Sequence, residues 1–366
     1  MKTIAVFFGG VSVEHDVSII TGVLTLNSID KERYSAVPVY VDKTGQWYTG
    51  EQLNDVDNFK NLNYKKLSKV LLVPGCNTLY KQKKNKLLPL CNVAVAVNCM
   101  HGERGEDGCL IGLLKLSFVP LASPDLLASA VCMDKSFTKI FLKGLKIKAL
   151  PSVTVDSDWK ESDLENKEFP LIVKPCCLGS SIGVQLANNS EELTEAISNA
   201  LRYGERAILE PCISDFTEIN CAVYRTKEGE IITSECEKPV GRTKFLSFED
   251  KYQQGDRIFP ADISKKLSDK IKQISIKIYK NLYIEGIIRI DFFIVGKEIY
   301  VNEINTVPGS LAYYLFCDTQ KGFSKLLTDL ICRAEENFSR QQSVNKCFKT
   351  SILDMVGCKG KNSCKK

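Results

Sequence analysis

The chain has 366 residues, 44% of them hydrophobic and 25% charged, with a formal net charge of +5. That length supports two or three domains with sizeable cores, and so mild an excess of positive charge gives no argument for a nucleic-acid partner, and none is expected. No run approaches the roughly 18 apolar residues of a membrane span, and "TIAVFF" after Lys2 is too short for a secretory signal, so neither a membrane partner nor export is expected.

The 15 cysteines lie singly in apolar runs or, at Cys176-Cys177, side by side. Isolated thiols in such runs act as small hydrophobes, and the expected compartment is the reducing cytoplasm. A zinc site is not expected, because the only histidines are His15 and His101 and the cysteines lack ligand spacing.

Residues 2–8, "KTIAVFF", read as a buried strand. Gly9-Gly10 lead into a helix around 16–28, and "YSAVPVYVDKTGQWY" reads as two strands about a Lys-Thr-Gly turn. Residues 50–90 are polar and Lys-rich and read as a helix and a hairpin, with the lysine runs at 64–69 and 81–86 as solvated loops. "VAVAVNCMHG" is another buried strand and "EDGCLIGLLKLS" a helix, giving an α/β first unit that ends near 125. A helix spans Met133 to Gly144. "FPLIVKP" and "SIGVQLA" then flank the loop "CCLGSS", followed by the helix "EELTEAISNALRY" and the strand "RAILEPCI". From about 214, "TEINCAVYR" and "EIITSECEK" read as a hairpin, 238–259 as a long loop and 263–282 as a helix. The hairpin "IIRIDFFIVGKEIYVNEIN" and a helix near 321–338 complete the order, and the Lys-, Gly- and Ser-rich end reads as a loose tail.

The chemistry concentrates at the last hairpin. Arg289 and Asp291 are two apart on one strand and share a face, as do Glu303 and Asn305 on the next. Three oxygen donors suit Mg²⁺ where phosphates complete its shell; ordinary polar strand ends are the other reading. If the turn were Gly296-Lys297 alone, Asp291 would face away from Glu303. Sharing an ion needs an odd-numbered turn or a β-bulge. In "LIVKPCCLGSSIGV", Gly179, Ser180 and Ser181 offer backbone N–H groups and hydroxyls to a phosphate, with Lys174 just upstream as a point charge; a plain Gly-Ser turn is the alternative. "AILEPCI" places Glu210 where a buried strand exits; adenine needs only one or two backbone hydrogen bonds and an apolar slot, but taken alone a plain strand end is the better reading. "FFGGVSVEHDVS" puts two glycines before a helix start, where Glu14 suits an ammonium and His15 reads as a surface or capping residue. "NCMHGERGEDG" ends a strand with His101, in the kind of loop where α/β sheets bind ligands.

In order, "GGVSVEHDVS", "HGERGEDG", "SAVCMDK", "VKPCCLGSSIG", "EDKY", "RIDFF" and "NEINTVPG" resemble the D-alanine–D-alanine ligase family of ATP-grasp enzymes over roughly residues 1–340. "DKTGQWY" and "EDKYQ" look nearer to the branch that includes vancomycin-resistance ligases. The resemblance implies an α/β and α+β molecule of three domains. These are an N-terminal Rossmann-like substrate domain (1–125), a central ATP-grasp subdomain (126–213) and a C-terminal ATP-grasp subdomain with the metal and acceptor site (214–340), before the tail (341–366). It implies a cytoplasmic homodimer that joins two D-alanines through a D-alanyl phosphate for peptidoglycan synthesis.

Position by position, the resemblance implies that Lys135, Lys174 and the Gly179, Ser180, Ser181 loop hold the phosphates of ATP. Glu210 and the backbone through Ile213 would take adenine, and Glu218 the ribose. Asp291, Glu303 and Asn305 would bind two Mg²⁺ (or Mn²⁺) ions. Glu14 would hold the first ammonium, networked to Ser180 and Tyr252. Arg289 and the Gly309 N–H would form the oxyanion hole, and His101 would lie at the substrate. Lys251 and Tyr252 belong to a closing loop, and Tyr252 favours an amine over a hydroxy acid as acceptor.

The chain departs from the family after its Pro-Gly turn. Typical members carry a Ser-His-Ser segment there, whose last serine binds the acceptor's carboxylate. Here those positions read Ala312-Tyr313-Tyr314, and Leu178 stands where many members have a charge. Either the backbone shifts, or the pocket is reshaped at Tyr314 for a different acceptor such as D-serine, or the tyrosines pack into core. A nucleotide-binding regulator without turnover is the third reading, which the intact Arg289, Asp291, Glu303, Asn305 and Gly309 oppose.

Overall fold

The computed structural model describes residues 1–164, 168–240, 257–344 and 350–353. Strand β1 (Lys2–Gly9) is buried from Ile4 to Phe8, as expected of an apolar run covered on both faces. It pairs in parallel with β2 (Tyr34–Val41) and with β6 (Lys86–Asn98), and helix α1 (His15–Ser28) makes the β1–β2 crossover. Strands β3 (Trp47–Thr49), β4 (Ser68–Leu72) and β5 (Thr78–Lys83) continue antiparallel from β2 to β6. Because β6 pairs through its first half with β5 and through its second with β1, the six strands close on themselves. The Rossmann-like part is thus β1, β2, β6 and α1. The helix expected within 50–90 is replaced by three short 3-10 turns, Glu51–Asn54, Val56–Asn61 and Tyr64–Lys66. Two of them begin at a side chain that accepts from the backbone, Asp55 and Asn63, residues that favour turns over helix interiors.

After α2 (Cys109–Leu116), the chain forms α3 (Leu126–Met133) and α4 (Lys135–Gly144), broken at Asp134, whose carboxylate caps α4 through the Ser136 and Phe137 N–H groups. Strands β7 (Val153–Asp156), β8 (Leu171–Pro175), β9 (Gln185–Ala187) and β10 (Arg206–Pro211) form an antiparallel sheet in the order β7-β10-β8-β9, packed by α5 (Ser190–Ala200). The strand expected from Ser181 begins only at Gln185. Ser180, Ser181 and Gly183 have left-handed φ values of 54°, 57° and 73°, which a strand cannot accommodate.

The last sheet runs β12-β11-β15-β16: β11 (Thr217–Arg225), β12 (Ile231–Thr233), β15 (Ile288–Val295) and β16 (Glu298–Asn305). A small ribbon of β13 (Lys238–Pro239) and β14 (Arg257–Ile258) stands beside it. Helix α6 (Lys265–Asn281) buries Ile271, Ile278 and Tyr279 against Ile290 and Phe292 of β15. Helix α7 (Gln320–Gln342) buries Phe323, Leu326 and Leu330 in one cluster with Val6, Phe8 and Leu26 from the first unit and Val307 and Leu311. This shared core presses the first unit onto the last and fixes the cleft between them. Most of the expected tail lies outside the described residues.

Candidate active site

The floor of the cleft is the β15–β16 pair. Arg289 stands opposite Asn305, and Asp291 opposite Glu303. The turn holds only Gly296 and Lys297, yet the two carboxylate residues share a face because the register shifts after Asp291 and leaves Asn302 as a bulge. Arg289 grips Asp291 with two bonds, Nε to Oδ1 at 2.8 Å and Nη2 to Oδ2 at 2.9 Å, and the Asn305 amide adds a third at 3.0 Å. Burial works against the Arg289 charge, but the neighbouring Asp291 more than offsets this and holds the guanidinium protonated. Two carboxylates and an amide oxygen donor fit a hard divalent cation that takes its remaining ligands from phosphates. Among the described residues no group of three His, Cys, Asp or Glu gathers as a fuller metal cage.

Above this floor, Glu14 from the start of α1 accepts a hydrogen bond from the Ser180 hydroxyl. Gly179 permits the approach, since a Cβ there would sit 3.0 Å from the Glu14 carboxylate. Lys135, first residue of α4, donates from Nζ to the Leu178 carbonyl at 2.6 Å, tying the loop to that helix. Lys174 and Glu210 sit on adjacent strands and pair at 2.8 Å, and Lys139 from α4 pairs with the other Glu210 oxygen at 2.7 Å. Burial alone would raise the Glu210 pKa, but the two ammonium groups bring it down to about 2. Its side chain is therefore already fully engaged.

The third wall joins the first unit to the segment after β16. Ser310 N–H donates to the Thr21 hydroxyl at 3.0 Å, and that hydroxyl lies 3.0 Å from His101 Nε2. Burial, then the Arg289 charge, depress His101 to about 4, so it stays neutral. Glu106 clasps both sides, accepting from Gly102 N–H at 2.8 Å and Val307 N–H at 3.0 Å. Burial and the nearby Glu14 push its pKa up to about 8.

Ser310, Leu311 and Ala312 are consecutive left-handed residues, with φ of 52°, 52° and 48°. Each of these costs about 1–2 kcal/mol in a non-glycine residue, and the buried Leu311 and Ala312 side chains help to hold the turn. The turn separates the two tyrosines. Both rings are half-buried against the shared core; Tyr313 stacks on Phe323 at 4.5 Å there, and Tyr314 also lines the cleft, its hydroxyl 3.5 Å from Arg289 Nη1.

The cleft encloses about 560 Å³, within the range of small-ligand sites. Its lining includes Glu14, His101, Lys135, Gly179, Ser180, Glu218, Arg289, Asp291, Glu303, Asn305, Gly309 and Tyr314. Lys174, Ser181, Glu210 and Ile213 do not line it; they belong to the neighbouring four-stranded sheet and its loops. Lys251 and Tyr252 lie outside the described residues. His15, expected at the surface, is 2% exposed: its ring bridges the Gly10 carbonyl at 2.6 Å and the Tyr40 hydroxyl at 3.1 Å. Sequence reasoning missed Thr21, Glu106, Lys139, Asn220, Glu237 and Arg257. Only Glu106 carried a signal, in the acidic turn "HGERGEDG", where nothing ranked it above Glu103 or Asp107.

Comparison with known proteins agrees with this architecture. The family model described as D-ala D-ala ligase N-terminus matches residues 3–124, and D-ala D-ala ligase C-terminus matches 145–332. The D-alanine--D-alanine ligase of Thermosipho melanesiensis is 35% identical over 368 residues, covering 96% of this chain and 98% of its own. The crystal structure of D-alanine-D-alanine ligase from Helicobacter pylori superposes with a TM-score of 0.75 at 30% identity, covering 95% of this chain and 100% of its own. The VanG D-Ala:D-Ser ligase from Enterococcus faecalis superposes at 0.78 with 28% identity, covering 91% and 99%. The fold is ATP-grasp, and the chain belongs to the D-alanine–D-alanine ligase family.

Proposed function

We propose that the protein is an ATP-dependent carboxylate–amine ligase that joins two D-alanines into D-alanyl-D-alanine for peptidoglycan synthesis. The observation that carries this reading is a convergence in one cleft. The Glu14–Ser180 pair, from segments 166 positions apart, stands over the Arg289–Asp291–Asn305 constellation and Glu303.

The reaction needs a leaving group better than oxide. A carboxylate oxygen of the donor D-alanine attacks the γ-phosphorus of ATP, and ADP leaves, giving D-alanyl phosphate. The neutral amine of the acceptor attacks the acyl carbon, and the tetrahedral intermediate expels inorganic phosphate together with the donor's oxygen, the surplus proton on nitrogen leaving with that phosphate. Glu14, held by Ser180, takes the donor's ammonium. Lys135 and the Gly179, Ser180 and Ser181 loop take phosphate oxygens, as does Lys174 if it shares its ammonium with Glu210. The backbone from Glu210 through Ile213 takes adenine, and Glu218 the ribose. Arg289 and the Gly309 N–H receive the oxyanion as fixed donors. Asp291, Glu303 and Asn305 would hold Mg²⁺, two ions by family resemblance, whose charge neutralises the transferring phosphoryl group. His101 orients the acceptor wall through Thr21 and Ser310. A cytoplasmic homodimer is the expected form.

A second reading keeps the donor and changes the acceptor to D-serine. The observation favouring it is that Tyr314, not a small serine, faces the cleft. The test of both is ADP release by the purified protein with Mg²⁺ and each D-amino acid, with products weighed by mass spectrometry. D-alanyl-D-alanine from D-alanine alone supports the first. A mixed dipeptide formed in preference supports the second, and no amino-acid-dependent ADP release contradicts both.

A further inference from the structure

Every acceptor in this reaction carries an amine that must face the acyl carbon and a carboxylate that must be held elsewhere. Three basic side chains line the described cleft: Lys135, Arg257 and Arg289. Lys135 is bonded to the Leu178 carbonyl at the phosphate loop, and Arg289 is bound bidentately to Asp291. Arg257 differs from both. Its Nη1 is 3.3 Å from a Glu237 oxygen, and its guanidinium carbon lies 4.7 Å over the Tyr314 ring. Glu237 is itself positioned by the Asn220 amide, at 3.2 Å.

Glu237 thus holds one edge of the guanidinium, and the rings of Tyr314 and, at 5.6 Å, Phe259 lie against it, while its side chain remains 42% exposed. A guanidinium has five N–H donors in a planar fork, so most of its donors stay available to a carboxylate. The Tyr314 hydroxyl stands beside it. Arg289 Nη1 can only donate, so the phenol oxygen is the acceptor of that contact and its own proton is free for a ligand. Burial raises the Tyr314 pKa, which keeps that proton in place.

We propose that Arg257 supplies the charge that binds the acceptor's carboxylate, beside the Tyr314 position that the family resemblance already gives to that carboxylate, and so determines which acceptors this enzyme accepts. The proposal rests on the ligase reading above. It places the selecting charge on the β13–β14 ribbon, with Glu237 and Asn220 as positioning residues behind it. Acceptors without a free carboxylate leave Arg257 unpaired except for Glu237 and are rejected.

The experiment is a competition between D-alanine and D-alaninamide, with ATP and Mg²⁺ in one vessel. The ratio of dipeptide to dipeptide amide is read by mass spectrometry. As a ratio within one sample, it is independent of how much of each variant is folded. Relative to wild type, Arg257→Gln should lower it about tenfold or more, Arg257→Lys less, and Tyr314→Phe several-fold. A ratio for Arg257→Gln within threefold of wild type overturns the proposal; if that variant gives too little protein, Arg257→Met, which also removes the charge, decides it by the same criterion. Hydroxylamine supplied in place of the acceptor separates the two levels of the argument. Formation of D-alanine hydroxamate with an unchanged ratio overturns Arg257 alone, whereas wild-type protein that forms no hydroxamate overturns the ligase reading, and this proposal with it.

Discussion

Asp291 faces Glu303 across two paired strands whose connecting turn has an even number of residues, and the bulge at Asn302 makes this possible. Without it, alternation would turn Glu303 to the opposite face and leave the cleft with one carboxylate on its floor. The bulge is thus as much a part of the proposed metal site as the side chains it aims. Glu303→Ala should lower turnover by about a hundredfold or more, because the phosphoryl charge loses its neutralising ion. Since Glu303 is only partly buried, its thermal melting should stay close to wild type. Near-normal turnover at saturating Mg²⁺ would remove Glu303 from the metal site.

The adjacent tyrosines should separate in their effects. Tyr313→Ala opens a gap beside Phe323 and should cost about 2–4 kcal/mol in denaturant unfolding. Tyr314→Ser gives up part of its packing on the same core and should destabilise the protein less than Tyr313→Ala, while shifting preference among D-alanine, D-serine and D-lactate as acceptors more than it shifts the KM for ATP. Equal destabilisation by both would mean that both serve packing alone.

Lys139 was not expected at any site, yet it is one of two cations on the buried Glu210. Lys139→Met leaves that carboxylate with Lys174 alone and should destabilise the protein by about 1–3 kcal/mol. Lys174 is then drawn more firmly to Glu210 and away from ATP, so the KM for ATP should rise. A variant with wild-type stability and ATP affinity would contradict this coupling.

Stability should fall on the acid side for two named reasons. Glu210 is held below its unfolded value of 4.5, at about 2, so its contribution is complete above 4.5 and disappears as pH falls toward 2. His101 is depressed from 6.5 to about 4, so its unfolded state gains protons first, and stability declines as pH drops from 6.5 to 4. Glu106 runs the other way: raised from 4.5 to about 8, its contribution is complete below 4.5 and shrinks as pH rises to 8. Urea unfolding from pH 4 to 8 should show a shallower acid slope in His101→Asn and a shallower alkaline slope in Glu106→Gln. Unchanged slopes would contradict the assignments.

Much of this site was legible because its chemistry is carried by residue types at strand spacing. Arg289 with Asp291, and Glu303 with Asn305, announce two shared faces, and the parity of the turn demands an odd loop or a bulge. Nothing in Val301-Asn302-Glu303 says which, because a bulge is settled by the packing of both strands. Ser181 to Val184 look like a strand by their apolar alternation, but the left-handed turn at Ser180 and Ser181, beside Glu14, overrides local preference. Lys139 and Arg257 were invisible for another reason: a lysine on an amphipathic helix and an arginine in a polar loop are ordinary surface residues until tertiary structure gives them a buried carboxylate. His15 was misjudged in the same way, since its partners Gly10 and Tyr40 meet only when β1 and β2 pair.

The central claim is that an acyl phosphate of the donor forms in this cleft, and oxygen labelling tests it most directly. D-alanine carrying ¹⁸O in its carboxylate is incubated with the protein, Mg²⁺ and unlabelled ATP, and the released phosphate is weighed. The account predicts one ¹⁸O in each phosphate, because the donor's oxygen attacks phosphorus and leaves with it. Unlabelled phosphate accompanying dipeptide formation would contradict it.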